Sequence, residues 1–206
     1  SNTAETPSFG FTKSRYWFRT HIENSAPTSE PYLIAIEYPL LDDIEVYVVR
    51  EEARVERIHV GDHQSFGERP IFHRNFLVTL PINPNEPIDL FFRVTTSSSM
   101  QFPLALYGHA YLQKHEQTEL IIQGIYYGTM LVMMLYNIFL FASLREMTYL
   151  YYVLYVASMT IFQAGLHGFA YQHLWPEGMW INAKTIPCSV AGTVVFGGLF
   201  ANSFLN

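Results

Sequence analysis

The rhythm of apolar and polar positions changes near residue 120. Before it, short runs alternate with a period of two, most cleanly in Ile88-Asp89-Leu90-Phe91-Phe92-Arg93-Val94, which puts Ile88, Leu90, Phe92 and Val94 on one face. Arg15 to Glu23 behaves alike, with Tyr16, Phe18, Thr20 and Ile22 on one side and Arg15, Arg19 and His21 on the other. Similar runs at Tyr32 to Tyr38, Ile44 to Arg50, Arg54 to Val60, Phe72 to Leu80 and Met100 to Tyr107 bring the candidate strands to seven. Turn formers separate them: Glu-Asn-Ser-Ala-Pro after the first run, Gly61-Asp62 after the fourth, and Pro81-Ile82-Asn83-Pro84-Asn85 before the sixth. Seven short strands at that spacing predict a two-sheet antiparallel sandwich of immunoglobulin or jelly-roll type.

After residue 120 the alternation stops. Leu120 to Leu144, Met147 to Leu166 and Thr185 to Asn206 contain no Asp, Glu, Lys or Arg. A helix rises about 1.5 Å per residue, so about 20 apolar residues cross a hydrocarbon core about 30 Å thick. The first stretch has 25 residues and leaves room for tilt. Three such stretches with short connections predict membrane helices rather than buried helices of a soluble protein, which would need a large polar shell around them. Leu144-Arg145-Glu146-Met147 reads as a tight turn that makes the first two spans an antiparallel hairpin. The connection from Gly168 to Lys184 carries Tyr171, Trp175 and Trp180 beside Pro176, the residue types of an interfacial belt. The expected domains are residues 1–113, a β-sandwich, and 114–206, the membrane helices. Ala110 to Glu119 joins them, and its charges and lack of Gly or Pro fit either a helix running into the first span or a short tether.

Charge sharpens this division: 26 of the 30 charged residues precede position 120. The net charge of −6 offers no basic patch for nucleic acid. Cys188 is the single cysteine and has no disulfide partner within the chain. The chain opens in a Ser/Thr/Asn/Pro stretch without a secretory signal and ends at the third apolar stretch, so a fragment of a longer protein is expected. No phosphate-binding glycine loop, nucleophile elbow or intramembrane carboxylate pair is present, so no catalytic residues, enzymatic activity or cofactor are expected.

The densest polar segment is Gly61 to Asn75. Arg69 and Arg74 carry guanidinium forks suited to a carboxylate, phosphate or sugar hydroxyl. With His73, Asn75, Asp42 and Gln101 they form the candidate ligand site, and Tyr38, Phe66 and Phe72 are candidates for stacking on a sugar ring. The competing reading is that Arg69, His73 and Arg74 brace a long loop through its backbone. His59, His63 and His73 lack the spacing of a metal site, and no metal is expected. Within the spans, Gly124-x-x-x-Gly128 matches a small-residue contact motif, and Asn137 and Gln163 are expected to hydrogen-bond between helices.

YPLLDDIEVYVV (Tyr38 to Val49), GDHQSFGERPIFHRNFLVTLPI (Gly61 to Ile82) and RVTTSSSMQFPLALY (Arg93 to Tyr107) resemble the extracellular sensor domain of bacterial seven-transmembrane receptors with diverse intracellular signalling modules. GIYYGTMLVMMLYNIFLFASLREMTYLYYVLYVASMTIFQAGLHGFAYQHLWP (Gly124 to Pro176) is similar to the start of that family's seven-helix region. The resemblance implies a periplasmic jelly-roll domain like a carbohydrate-binding module, seven helices in the bacterial inner membrane, and a cytoplasmic output domain such as a diguanylate cyclase or histidine kinase. Four helices and the output lie outside this chain. The implied partners are the lipid bilayer, a small periplasmic ligand with carbohydrate as the leading class, the cytoplasmic signalling domain, and a second copy in a homodimer. The alternative is a transport or envelope-complex subunit whose sandwich docks a partner protein.

Overall fold

The computed structural model describes residues 7–12, 14–25, 31–50, 55–84 and 86–205. Arg54, expected to open a strand, and parts of the first and third predicted turns fall outside them. The chain divides into two compact units, Ser1–Gln113 and Lys114–Asn206.

Among its described residues the first unit has nine strands: β1 (Ser8–Phe11), β2 (Tyr16–Glu23), β3 (Tyr32–Ile36), β4 (Asp43–Val49), β5 (Val55–Val60), β6 (Phe76–Leu80), β7 (Pro87–Thr95), β8 (Ser99–Gln101) and β9 (Leu104–Gly108). They pair antiparallel in the orders β2-β7-β4-β5, β6-β3-β9 and β1-β8. The expected strand over Met100 to Tyr107 is divided at Phe102-Pro103, because proline cannot donate to a ladder. The expected strand from Phe72 begins at Phe76, since the residues before it are held in a loop. β1 was absent from the prediction.

The two larger sheets face each other across one core. Ile88, Leu90, Phe92 and Val94 of β7 are fully buried in it with Ile44, Val46 and Val48 of β4, Ile34 and Ile36 of β3, and Phe76, Val78 and Leu80 of β6. Phe102 stacks on Phe18 with ring centres 4.5 Å apart. A second, smaller cluster lies on the outer face of the three-stranded sheet, where Leu33, Ala35 and Leu77 meet Leu112, with Ile71, Ala105 and Tyr107 around them. β3 is therefore covered on both faces, which is why it reads as an unbroken apolar run.

Leu112 belongs to α1 (His109–Leu144). The segment from Ala110 to Glu119 is thus helical, which decides between the two readings of the joint. In the second unit follow α2 (Met147–Leu166), α3 (Phe169–His173) and α4 (Met179–Leu205). α3 is a short helix inside what the sequence offered only as a connection. Helices α1, α2 and α4 are long and apolar enough to cross a membrane. Arg145 takes the left-handed conformation (φ 59°), and its N–H caps α1 by donating to the Phe141 carbonyl at 2.9 Å.

Small residues do bring helices together, but between α2 and α4. A Cβ on Gly192 would lie 2.7 Å from Ser158 Oγ, whereas one on Gly124 or Gly128 meets nothing within 4 Å. Asn137 Nδ2 donates to the Met133 carbonyl of its own helix at 2.9 Å, so one of its amide hydrogens is used within α1.

The central strand makes a direct test. Phe92→Asp would bury an unpaired carboxylate at a fully buried position, and we expect residues 1–113 carrying it to lose about 4 kcal/mol or more in urea unfolding. The wild-type fragment should give a β-dominated circular dichroism spectrum.

Candidate functional site

Three connections converge at one corner of the sandwich: residues 37–42 between β3 and β4, 61–75 between β5 and β6, and 96–98 between β7 and β8. Asp42 anchors the corner. Its Oδ2 accepts from Ser97 N at 2.7 Å and its Oδ1 from Thr96 Oγ1 at 3.3 Å, while Ser98 Oγ donates to the Leu40 carbonyl at 2.8 Å. Gly61 brings the second connection against the first, since a Cβ there would overlap the Asp42 carbonyl. Asp62 N donates to the Leu41 carbonyl at 2.9 Å and His63 N to that of Asp42 at 3.2 Å.

This packing forces two carboxylates together. Atoms of Asp42, Asp62 and His63 lie within 4.8 Å of one another. That spacing would admit an ion, but both Asp42 oxygens are already engaged and the His63 side chain is 62% exposed, so we describe the group as a carboxylate pair. Asp62 Oδ1 is shielded from solvent and has no hydrogen-bond partner among the described residues. Burial, and then the neighbouring Asp42 charge, push the Asp62 carboxyl up to about 6, against the opposing pull of His63 and Arg69. Tyr38 is raised by burial, and Asp62 adds to the rise while a hydrogen bond with Ser98 opposes it.

The 61–75 segment is held by Arg69. Its Nη1 donates at 2.9 Å to the carbonyls of both His73 and Arg74. The guanidinium lies 4.3 Å from the centre of the Phe66 ring and 4.5 Å from that of Phe76. Asn75 N donates to His73 Nδ1 at 3.1 Å, closing the end of the loop. The structure thus gathers Arg69, His73, Arg74 and Asn75 into one turn, with Asp42 across the corner and Gln101 on β8 opposite Ser8. Phe66, expected to stack on a ligand, is fully buried beneath Arg69, whereas Phe72 is exposed.

A second surface lies on the outer face of the four-stranded sheet, and sequence reading missed it. The register lines up Trp17, Arg93, Glu45 and His59 in one row and Arg19, Phe91, Tyr47 and Arg57 in the next. Trp17, 60% exposed, stacks on Tyr47 with ring centres 5.7 Å apart. Glu45 accepts from Tyr47, Arg57 and Arg93. Burial alone would raise its carboxyl, but those hydrogen bonds and charges overcome it and hold the group below its ordinary value. Arg19 pairs with Asp89 at 3.1 Å, His59 with Asp43, and Gln64 with His59 at 2.5 Å, so this face is joined to the 61–75 segment. The signal available was Trp17 among the polar positions of an alternating strand.

A sandwich of this kind followed by membrane-spanning helices is the build of a receptor with an extracellular sensor. Residues 1–108 match the family described as 7TMR-DISM extracellular 2, and residues 119–206 match 7TM diverse intracellular signalling. The chain belongs to the seven-transmembrane receptors with diverse intracellular signalling modules, as a membrane protein whose sensor domain faces outward. A comparison with curated proteins gave no match.

The Asp62 carboxyl gives a pH test. Its folded value lies above the ordinary 3.8, so its stabilising contribution is complete below about pH 4 and is lost as pH rises through about 6. Asp62→Asn should therefore stabilise the protein by up to about 3 kcal/mol at neutral pH and change little at pH 4, measured by urea unfolding across that range.

Proposed function

We propose that residues 1–113 are the periplasmic sensor domain of a bacterial inner-membrane receptor, a jelly roll of carbohydrate-binding type. Residues 114–206 are the first three helices of its seven-helix region. The succession of two receptor modules along one chain carries this reading. These modules are not enzymes; catalysis falls to a cytoplasmic output domain elsewhere in the receptor, and a second copy of the chain is a natural partner for such signalling.

The ligand is a small polar molecule, and the outer sheet face favours a carbohydrate. Arg19, Arg57 and Arg93 are met there by Asp89, Glu45 and Asp43, so the face offers donors and acceptors without a surplus of either charge. That suits an uncharged polyhydroxyl ligand, and the exposed Trp17 ring offers the apolar face of a pyranose a place to stack. Arg69, His73, Arg74, Asn75 and Asp42 supply further polar groups at the corner, and Gln101 another on β8. Gln64 links the corner to the sheet face, so binding on the sheet would be felt by the 61–75 segment.

Two experiments test this. A thermal-shift screen of the detergent-solubilised chain against mono- and oligosaccharides should find a stabilising sugar. Trp17→Ala should weaken its binding by about tenfold or more, the loss of about 1.4 kcal/mol of stacking, beyond the few degrees of melting temperature that loss of the Tyr47 stack takes from the free protein. Unaltered affinity would remove Trp17 from the site. For topology, in a Cys188→Ser background, a cysteine at Glu177 should react with an impermeant thiol reagent added from the periplasm, and one at Arg145 should not; the reverse pattern would overturn the orientation.

A further inference from the structure

The segment that begins at Asp62 reaches, through Ile71, the cluster that holds the start of α1. Asp62 opens it at the carboxylate pair. Arg69 fixes its middle through the carbonyls of His73 and Arg74. Between them Ile71 packs against the outer cluster of Leu33, Ala35, Leu77 and Leu112. Leu112 is in the first turn of α1 and is 8% exposed there. What happens to Arg69 is therefore felt where α1 meets the sheet.

The two protonation states of Asp62 ask different things of this segment. Asp42 cannot turn away, because Thr96 and Ser97 hold both its oxygens and Gly61 packs on its backbone. A protonated Asp62 is neutral, and the pair, with atoms within 4.8 Å of one another, carries one charge. An ionised Asp62 places a second negative charge beside the first, with a shielded Oδ1 that no described residue satisfies. The titratable and charged groups that face it are Asp42 and Tyr38 from the 37–42 connection, His63 beside it, and Arg69. The 96–98 connection brings the uncharged Thr96, Ser97 and Ser98. Among the described residues Arg69 is a permanent cation whose charge acts on Asp62, and it is also the brace of the loop.

We propose that Asp62 is a proton-binding site of the sensor domain. Protonated, it leaves the pair with one negative charge and Arg69 on its two carbonyls; ionised, it draws the guanidinium toward itself and loosens the seat of Ile71 on the cluster that holds Leu112. A sensor domain on the outer side of the membrane would then answer acidity as well as its ligand. This rests on the outward placement of the domain and not on the identity of the ligand.

The test is hydrogen–deuterium exchange of the full chain in lipid nanodiscs at about pH 5 and about pH 7.5, corrected for intrinsic exchange rates. At short labelling times, which read local opening rather than global unfolding, amides of residues 71–74 and 109–113 should exchange about fivefold faster at the higher pH, while those of β4 and β7 stay protected at both. Asp62→Asn should show the slow pattern at both values. His63→Gln should keep the wild-type response, which separates the carboxyl from a histidine titrating in the same range. Asp42→Asn removes the repelling charge and should move the midpoint to lower pH, a readout that stands even where Asp62→Asn fails to fold. Equal exchange at both pH values overturns the proposal. So does the same short-time acceleration across β4 and β7, a response retained in Asp62→Asn or lost in His63→Gln, or an Asp42→Asn midpoint left in place. A chain that binds sugar and labels with the expected topology yet shows one of these results would overturn this inference alone.

Discussion

The pleat of β7 sets most of what the sensor domain is. Successive side chains of a strand point to opposite faces, and β7 lies between β2 and β4, so one set of its residues must serve the core and the other the outer surface. Ile88, Leu90, Phe92 and Val94 fill the first role without residual exposure. Asp89, Phe91 and Arg93 are thereby fixed outward, each in register with a partner on both neighbouring strands. Arg93 reaches Glu45 on one side and lies opposite Trp17 on the other. A one-residue slip would invert both faces together, so the core and the charge-paired face are two aspects of one register.

In the membrane unit the governing constraint is that backbone and side-chain polar groups must find partners without water. Hydroxyls of Thr129, Ser158, Thr160, Thr185 and Thr193 return to carbonyls four residues earlier. Thr148 and Ser203 bond to one another across α2 and α4 at 2.7 Å. With Gly192 against Ser158, these contacts make a seam that holds α2 and α4 together through close approach, as hydrocarbon surroundings demand.

Much of this was legible in the chain because two periods of hydrophobicity are local properties. α2 was readable to its end residues, and β2, β4 and β7 from their alternation. What was lost depended on contacts distant in sequence. β1 has no buried side and hence no alternation to read. The stacking of Trp17 on Tyr47 exists only because β7 aligns β2 with β4. Arg69 works through main-chain carbonyls, which no pattern of side chains reveals, so the sequence left grip and brace both open. The pairing of Asp42 with Asp62 comes from the absence of a side chain at Gly61, a contact between loops rather than a motif.

β3 has no solvent face. Its inner side belongs to the core and its outer side is closed by the first turn of α1, so the globular unit continues past the last strand. The sensor family matched here ends at residue 108, just before Leu112. A fragment cut at that boundary would uncover Leu33, Ala35 and Leu77 as an adhesive apolar patch on the middle of a sheet. The opening turn of the membrane-directed helix is, in this sense, the lid of the soluble domain, and part of the hydrophobic burial that holds the sandwich together is supplied by the element that leads out of it.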